Sequence, residues 1–219
     1  MKHLIKKDWL LTRYVHLAFL VLGLSVIPIC LNKPVGGPII AVFLQIIYMH
    51  LLVTLARPGI GGGAENLLLG TLPIKRRSVV NAKYLFYLCC ALGFSLYMCL
   101  LMWRLRVYGL ALPFSPWALF PMIAAIGILY NTLMMPLAFV SPKWSGILSA
   151  VVYIAIIILP QKLSAWLGYG EGNEGFQVMV MQLIGALKGW TLPVLAASGL
   201  LLFDLSLLIS QRVYERAEF

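Results

Sequence analysis

The sequence predicts an all-α polytopic membrane protein with six transmembrane helices, an N-terminal interfacial helix and an outer re-entrant or interfacial helix. Three observations carry this. Of the 219 residues, 62% are hydrophobic and 11% charged, against roughly 45–50% and 25% in soluble domains, and the mean hydropathy is +0.94. The apolar residues form long continuous stretches, whereas a membrane barrel would alternate polarity over ~10-residue segments. All six tryptophans (Trp9, Trp103, Trp117, Trp144, Trp166, Trp190) stand at or just beyond the ends of those stretches, at the headgroup level that an amphipathic ring prefers.

The first element is residues 1–13. Leu4, Ile5, Trp9 and Leu10 alternate there with Lys2, Lys6, Lys7 and Asp8, a basic amphipathic pattern suited to a helix in the headgroup plane. The basic start followed by apolar residues superficially resembles a signal peptide. Further spans and the lack of a small-residue cleavage site predict that it is retained. Crossings are expected over 14–31, 37–56, 84–102, 117–140, 144–160 and 190–210, each near the ~20 residues that a core about 30 Å thick requires, the fifth marginally so. Together they make one transmembrane domain over 1–219.

Orientation follows from counting cations. With the N-terminus inside, the inner segments hold Lys2, Lys6, Lys7, Arg13, Arg57, Lys75, Arg76, Arg77, Lys83, Lys143, Arg212 and Arg216, 12 of the 17 basic residues. The outer segments hold Lys33, Arg104, Arg106, Lys162 and Lys188, five in all. The positive-inside rule therefore places both termini in the cytoplasm. The formal net charge of +10 does not point to nucleic acid, because the cations flank apolar spans rather than lining one face of a domain.

Two connections carry more than charge. The inner loop, 57–83, opens with Pro58, Gly59, Gly61, Gly62 and Gly63, continues as a short helix over 64–72, stops at Pro73 and ends in the cluster Lys75, Arg76, Arg77. Pattern alone leaves two readings, a docking element or a solvated loop whose charge orients the helices. The outer stretch, 161–189, contains twelve mostly apolar residues over 176–187. That is too short to span, and a seventh crossing would carry Arg212 and Arg216 outside.

The run ENLLLGTLPIKRRSVVNAKYL, residues 65–85, resembles the signature between the second and third helices of exporter-type permease subunits of bacterial ATP-binding-cassette transporters. Those permeases show an acidic residue, a Leu-rich turn, a Leu-Pro step, a basic residue and a helix opening toward Lys-Tyr. Here these are Glu65, Leu67 to Leu69, Leu72 with Pro73, Arg76 or Arg77, and Lys83 with Tyr84. LIKKDWLL, residues 4–11, resembles the family's interfacial helix, and SQRVYERAEF, residues 210–219, its C-terminal end. One departure is that Ile74 and Lys75 intervene between the Leu-Pro step and Arg76, where the family often has Ser then Arg.

The resemblance implies a permease of the small peptide- and drug-exporting branch. Its inner helix would fit a groove on a separate cytoplasmic ATPase subunit through Glu65, Asn66, Leu68, Leu69, Pro73, Arg76 and Arg77. ATP and Mg would be bound by that partner and no cofactor by this chain, which has no GxxxxGK[ST] loop to cradle phosphates. Six helices make half a gate, so a second copy or a similar permease is implied, in the inner or plasma membrane among its lipids. The expected cargo is a hydrophobic or amphipathic peptide, lipid or drug. A vitamin-type importer subunit and an ion-coupled carrier are the alternatives; the carrier would show half-chain repeats, and none is evident.

Ionisable and polar residues at bilayer depth are costly and mark candidates for function. Asp204, the only acid within a span, could pair with Arg13 or His16, gate the path or serve as one structural pair. Gln45, His50 and Asn131 could line a path or act as interhelical hydrogen-bond glue. Pro121 and Pro136 are expected to kink the fourth span. The three histidines, His3, His16 and His50, form no HExxH, and no nucleophile-base pattern suggests a membrane enzyme. Cys30, Cys89, Cys90 and Cys99 lack metal-ligand spacing and read as small buried hydrophobes, with a Cys30–Cys99 bridge as the alternative.

Overall fold

The computed structural model describes residues 2–32, 36–56, 76–110, 112, 115–140, 146–148 and 191–216, with isolated positions between 150 and 182. Among the described residues the secondary structure is helical, without strands. The helices are α1 (Lys2–Gly23), α2 (Val26–Asn32), α3 (Gly36–Ala56), α4 (Arg76–Val107), α5 (Pro116–Val140) and α6 (Thr191–Arg216). Four stretches of them, His3–Asn32, Gly36–Leu55, Arg76–Val107 and Pro116–Phe139, are long and apolar enough to cross a membrane. The expected fifth span and the outer segment fall largely outside the described residues, as does the loop over 57–75.

The N-terminal amphipathic residues are not a separate element. They form the first turns of α1, which runs unbroken past Arg13 to Gly23, because no proline or glycine interrupts the sequence there. The first crossing instead breaks at Leu24 and Ser25. Pro28 lies four residues after Leu24, so it offers no N–H to that carbonyl and its ring crowds it. The Ile27 N–H donates to the Leu24 carbonyl instead, at 3.0 Å, and the Leu22 carbonyl accepts from both the Ser25 N–H, at 3.0 Å, and the Ser25 hydroxyl, at 2.6 Å. α5, by contrast, continues as helix through both Pro121 and Pro136.

α4 begins at Arg76, so the last eight residues of the expected loop, 76–83, are helix. At 32 residues and about 1.5 Å per residue it is ~48 Å long, well beyond a core of about 30 Å. Its polar first turns therefore stand clear of the apolar run. Its other end closes on Gly109, at φ +91°. Leu110 N–H donates to Leu105 O, and Gly109 N–H to Arg106 O, the paired bonds by which a left-handed glycine satisfies a helix end. Ser115 and Pro116 then open α5 with a cap residue and a proline at its first position.

α6 packs on α5 and α4, α3 on α5 and α1, and α1 on α4. Side-chain pairs fix their directions. Asp8 meets Lys83 while Leu20 meets Tyr97, so α1 and α4 run the same way. Arg77 meets Glu215 while Tyr84 meets Ser206, so α6 runs opposite to α4. Ser206 meets Thr132 while Tyr214 meets Phe139, so α5 runs with α6. Residues 141–190 therefore connect opposite ends of the bundle. The starts of α1 and α4 share one face with the ends of α5 and α6, and that face carries Lys6, Lys7, Arg76, Arg77, Lys83, Arg212 and Arg216.

Met49, Met98, Met102, Met134 and Met135 fill the centre together with Tyr84 and Tyr87; flexible thioethers conform to the irregular gaps between helices. Two glycines allow close approach. A Cβ at Gly23 would lie 2.5 Å from the Tyr97 ring, and one at Gly127 would lie 2.3 Å from Gln45 Nε2, the small-residue contact by which membrane helices gain packing.

Candidate functional site

The basic face is where α4 begins. Arg76 and Arg77, the first residues of α4, are exposed, yet both reach the end of α6. Arg76 Nη1 donates to the carbonyls of Glu215, at 3.1 Å, and Tyr214, at 3.4 Å, acceptors left without intrahelical partners at a helix C-terminus. Arg77 forks onto both carboxylate oxygens of Glu215. That guanidinium holds the Glu215 carboxyl below the usual carboxylate range. One turn deeper, Gln211 Nε2 donates to Asn81 Oδ1 at 2.6 Å.

On the other side of α4, Lys83 Nζ lies 3.4 Å from each carboxylate oxygen of Asp8, with side chains 4% and 3% exposed. A charge so buried is costly unless paired. The loop's exit helix is thus joined to α6 by Arg76 and Arg77 and to α1 by Lys83.

Two hydroxyl relays run inward from this face, and each has a fixed direction. Ser206 gives its only proton to the Thr132 carbonyl at 2.7 Å, so it accepts from Tyr84, and Ser210 in turn donates to Tyr84, both at 2.7 Å. In the second relay Thr12 gives its proton to the Asp8 carbonyl. His16 Nε2 must then be the donor to Thr12 at 2.8 Å, and in the neutral ring Nδ1 accepts from Tyr48 at 2.7 Å. Trp9 stacks on the His16 ring with centroids 4.3 Å apart.

The remaining sequence candidates separate. Glu65, Asn66, Leu68, Leu69 and Pro73 lie outside the described residues. His50 Nδ1 bonds the Tyr130 hydroxyl at 2.8 Å, linking α3 to α5. Gln45, fully buried on α3, donates to the Ala91 carbonyl of α4 at 3.4 Å and abuts Gly127 of α5. Asn131, one turn on from Gly127, is 1% exposed, and neither of its amide atoms has a hydrogen-bond partner among the described residues. Gln45 and His50 therefore both face α5, at Gly127 and Tyr130.

Asp204 is not with them. It stands on the exposed face of α6 among Leu201, Leu202, Leu205 and Leu208, and neither Arg13, bonded to Tyr14, nor His16 is its partner. The four cysteines are free thiols, so no bridge joins Cys30 to Cys99.

Sequence reasoning overlooked Asp8, whose only signal was a lone acid among the lysines of an amphipathic helix. It likewise missed Glu215 and the Tyr84 hydroxyl cluster, whose partners lie more than 120 residues away.

A family model described as "ABC-2 family transporter protein" matches residues 3–215. No curated protein and no solved structure matches the chain. The family is one of membrane transport components, and it implies a partner ATP-binding-cassette ATPase. With its apolar helices crossing a bilayer and nearly its whole length matched, the chain belongs to the ABC-2 family of transporters, as a membrane permease subunit.

Proposed function

We propose that this permease is the membrane part of an ATP-driven exporter that takes a hydrophobic or amphipathic peptide, lipid or drug from the cytoplasmic side. It would work as a homodimer or with a similar permease, both termini in the cytoplasm of a cell held by the inner or plasma membrane. The observation that carries the reading is the attachment of α4's first turns to both α6, through Arg76 and Arg77, and α1, through Lys83. A push delivered to the loop over 57–75 reaches three helices at once. Closure of two ATPase subunits on bound ATP would thus rock each permease as a body, and alternate access follows from two such bodies moving about their shared interface. The low polarity of the spans favours an apolar cargo over a sugar or an ion.

In this reading Glu65, Asn66, Leu68, Leu69 and Pro73 grip the ATPase subunit, and Arg76 and Arg77 pass its movement on. Glu65→Lys, or Leu68→Asp with Leu69→Asp, is expected to abolish co-purification with the ATPase subunit while leaving membrane insertion intact. Undiminished co-purification removes the docking element. Asp204, mid-helix on an outward apolar face, is costly toward lipid and is assigned to the contact with the second permease. Asp204→Asn is expected to lower substrate-stimulated ATPase activity in the assembled transporter; unchanged activity makes it a structural residue only.

A further inference from the structure

A groove of about 380 Å³ runs between α1 and α4, within the size range of small-ligand sites. Its walls are apolar, with Ile5, Trp9 and Leu20 from α1 and Leu85, Phe86 and Phe94 from α4. Trp9, Leu20 and Leu85 are 53%, 44% and 45% exposed, so the groove is open along its length to whatever surrounds the bundle. From Ile5 to Leu20 it extends ~22 Å along α1 at about 1.5 Å per residue. The chains of one leaflet occupy about half of a ~30 Å core, so a single acyl chain fits within that length.

The two ends differ. At the far end Tyr97 donates its hydroxyl to the Leu20 carbonyl at 2.6 Å, closing the groove. Cations flank the near half, Lys6 beside the mouth at Ile5 and Arg13 eight residues, ~12 Å, beyond Ile5 along α1. With about 100° per residue, Ile5, Trp9, Arg13, His16 and Leu20 fall within one arc of about 80° on α1, and Lys6 lies just beyond its edge. Lys6 and Arg13 are both exposed, and the Arg13 guanidinium lies 4.6 Å from the Tyr14 ring centroid and donates to the Tyr14 hydroxyl at 2.7 Å. The one acid of α1, Asp8, turns the other way onto Lys83.

Gly93 keeps the floor low. A Cβ there would meet nothing within 4 Å, so alanine or leucine would fit, and either would be a better helix former by about 1 kcal/mol. Glycine at this position leaves the groove empty of protein.

We propose that this groove binds one acyl chain of an anionic phospholipid from the leaflet at α1's N-terminal end, its headgroup phosphate placed by Lys6 and Arg13. The apolar walls take the chain, the closed end sets its depth, and the cations select the headgroup. The site requires only that α1 and α4 cross the bilayer, and is independent of what drives transport.

The test uses the full-length protein reconstituted in phosphatidylcholine vesicles carrying phosphatidylglycerol brominated at the headgroup end of the chain, the level of Trp9. The Trp9 signal is the difference between the wild type and Trp9→Phe. Brominated phosphatidylglycerol is expected to quench Trp9 more strongly than brominated phosphatidylcholine at the same mole fraction. Lys6→Gln and Arg13→Gln should each cut that preference about fivefold, and Gly93→Leu should remove it. Native mass spectrometry of detergent-purified protein gives a second readout that needs no tryptophan variant. One phospholipid adduct is expected on the wild type and none on Gly93→Leu. Equal quenching by both lipids, a preference that survives Gly93→Leu, or no quenching because a second copy covers the groove would each overturn the proposal.

Discussion

Lys83 and Asp8 form an ion pair removed from solvent, the ammonium equidistant at 3.4 Å from both carboxylate oxygens, and it fastens the N-terminal turns of α1 to the helix that leaves the long loop. Desolvating both charges offsets most of their attraction, so the pair is better understood as a register lock between two parallel helices than as a source of stability.

Removing one partner is therefore expected to be worse than removing both. Lys83→Met leaves the Asp8 carboxylate buried without that cation and should cost about 3–5 kcal/mol, whereas Asp8→Leu combined with Lys83→Met should recover most of the loss. Unfolding of the three proteins in one detergent measures this. A single variant as stable as the wild type would contradict the buried pairing.

The fork between Arg77 and Glu215 has a pH signature. Because Arg77 lowers the folded-state Glu215 pKa, the link is fully present above the ordinary carboxylate value and is lost as pH falls through the lowered one. Amide protection factors in the last turn of α6, taken against the intrinsic rate at each pH, should match between about pH 7 and pH 5 and fall only below about pH 4. Glu215→Gln should exchange quickly throughout. Fraying that begins above pH 5 would count against the link.

Gly127 and Gln45 provide a packing test. A methyl at Gly127 would lie 2.3 Å from Gln45 Nε2 and 3.2 Å from the Ala91 Cβ, so the amide must leave the Ala91 carbonyl. Gly127→Ala is expected to destabilise by about 1–3 kcal/mol, and Gln45→Ala in the same chain should relieve part of that loss. Additive effects in the double variant would show that the two residues do not touch.

The long apolar stretches made the first four crossings legible, since burial in lipid demands long runs of one residue type irrespective of tertiary detail. Helix ends were less so. Arg76 to Lys83 reads as a polar loop, yet it is helix because Arg76 and Arg77 find acceptors at the end of α6, a partner no local pattern discloses. The break at Leu24 was missed, because the apolar run over 14–31 hides the one residue, Pro28, that signals it. Gln45, His50 and Asn131 were marked by polarity at depth, and the structure buries Asn131 and brings Gln45 and His50 to the α3–α5 seam. Asp204 was marked by the same signal but lies on the outer face of α6; one sequence cannot tell which side of an apolar helix faces the bundle, because both sides are greasy.

Coupling to a nucleotide-driven partner requires the glycine-rich residues 59–63 to face the cytoplasm. The most direct test replaces Cys30, Cys89, Cys90 and Cys99 by alanine, introduces Gly62→Cys and exposes membranes to a membrane-impermeant thiol reagent. Labelling confined to inverted vesicles is the predicted result; labelling of intact cells would contradict it.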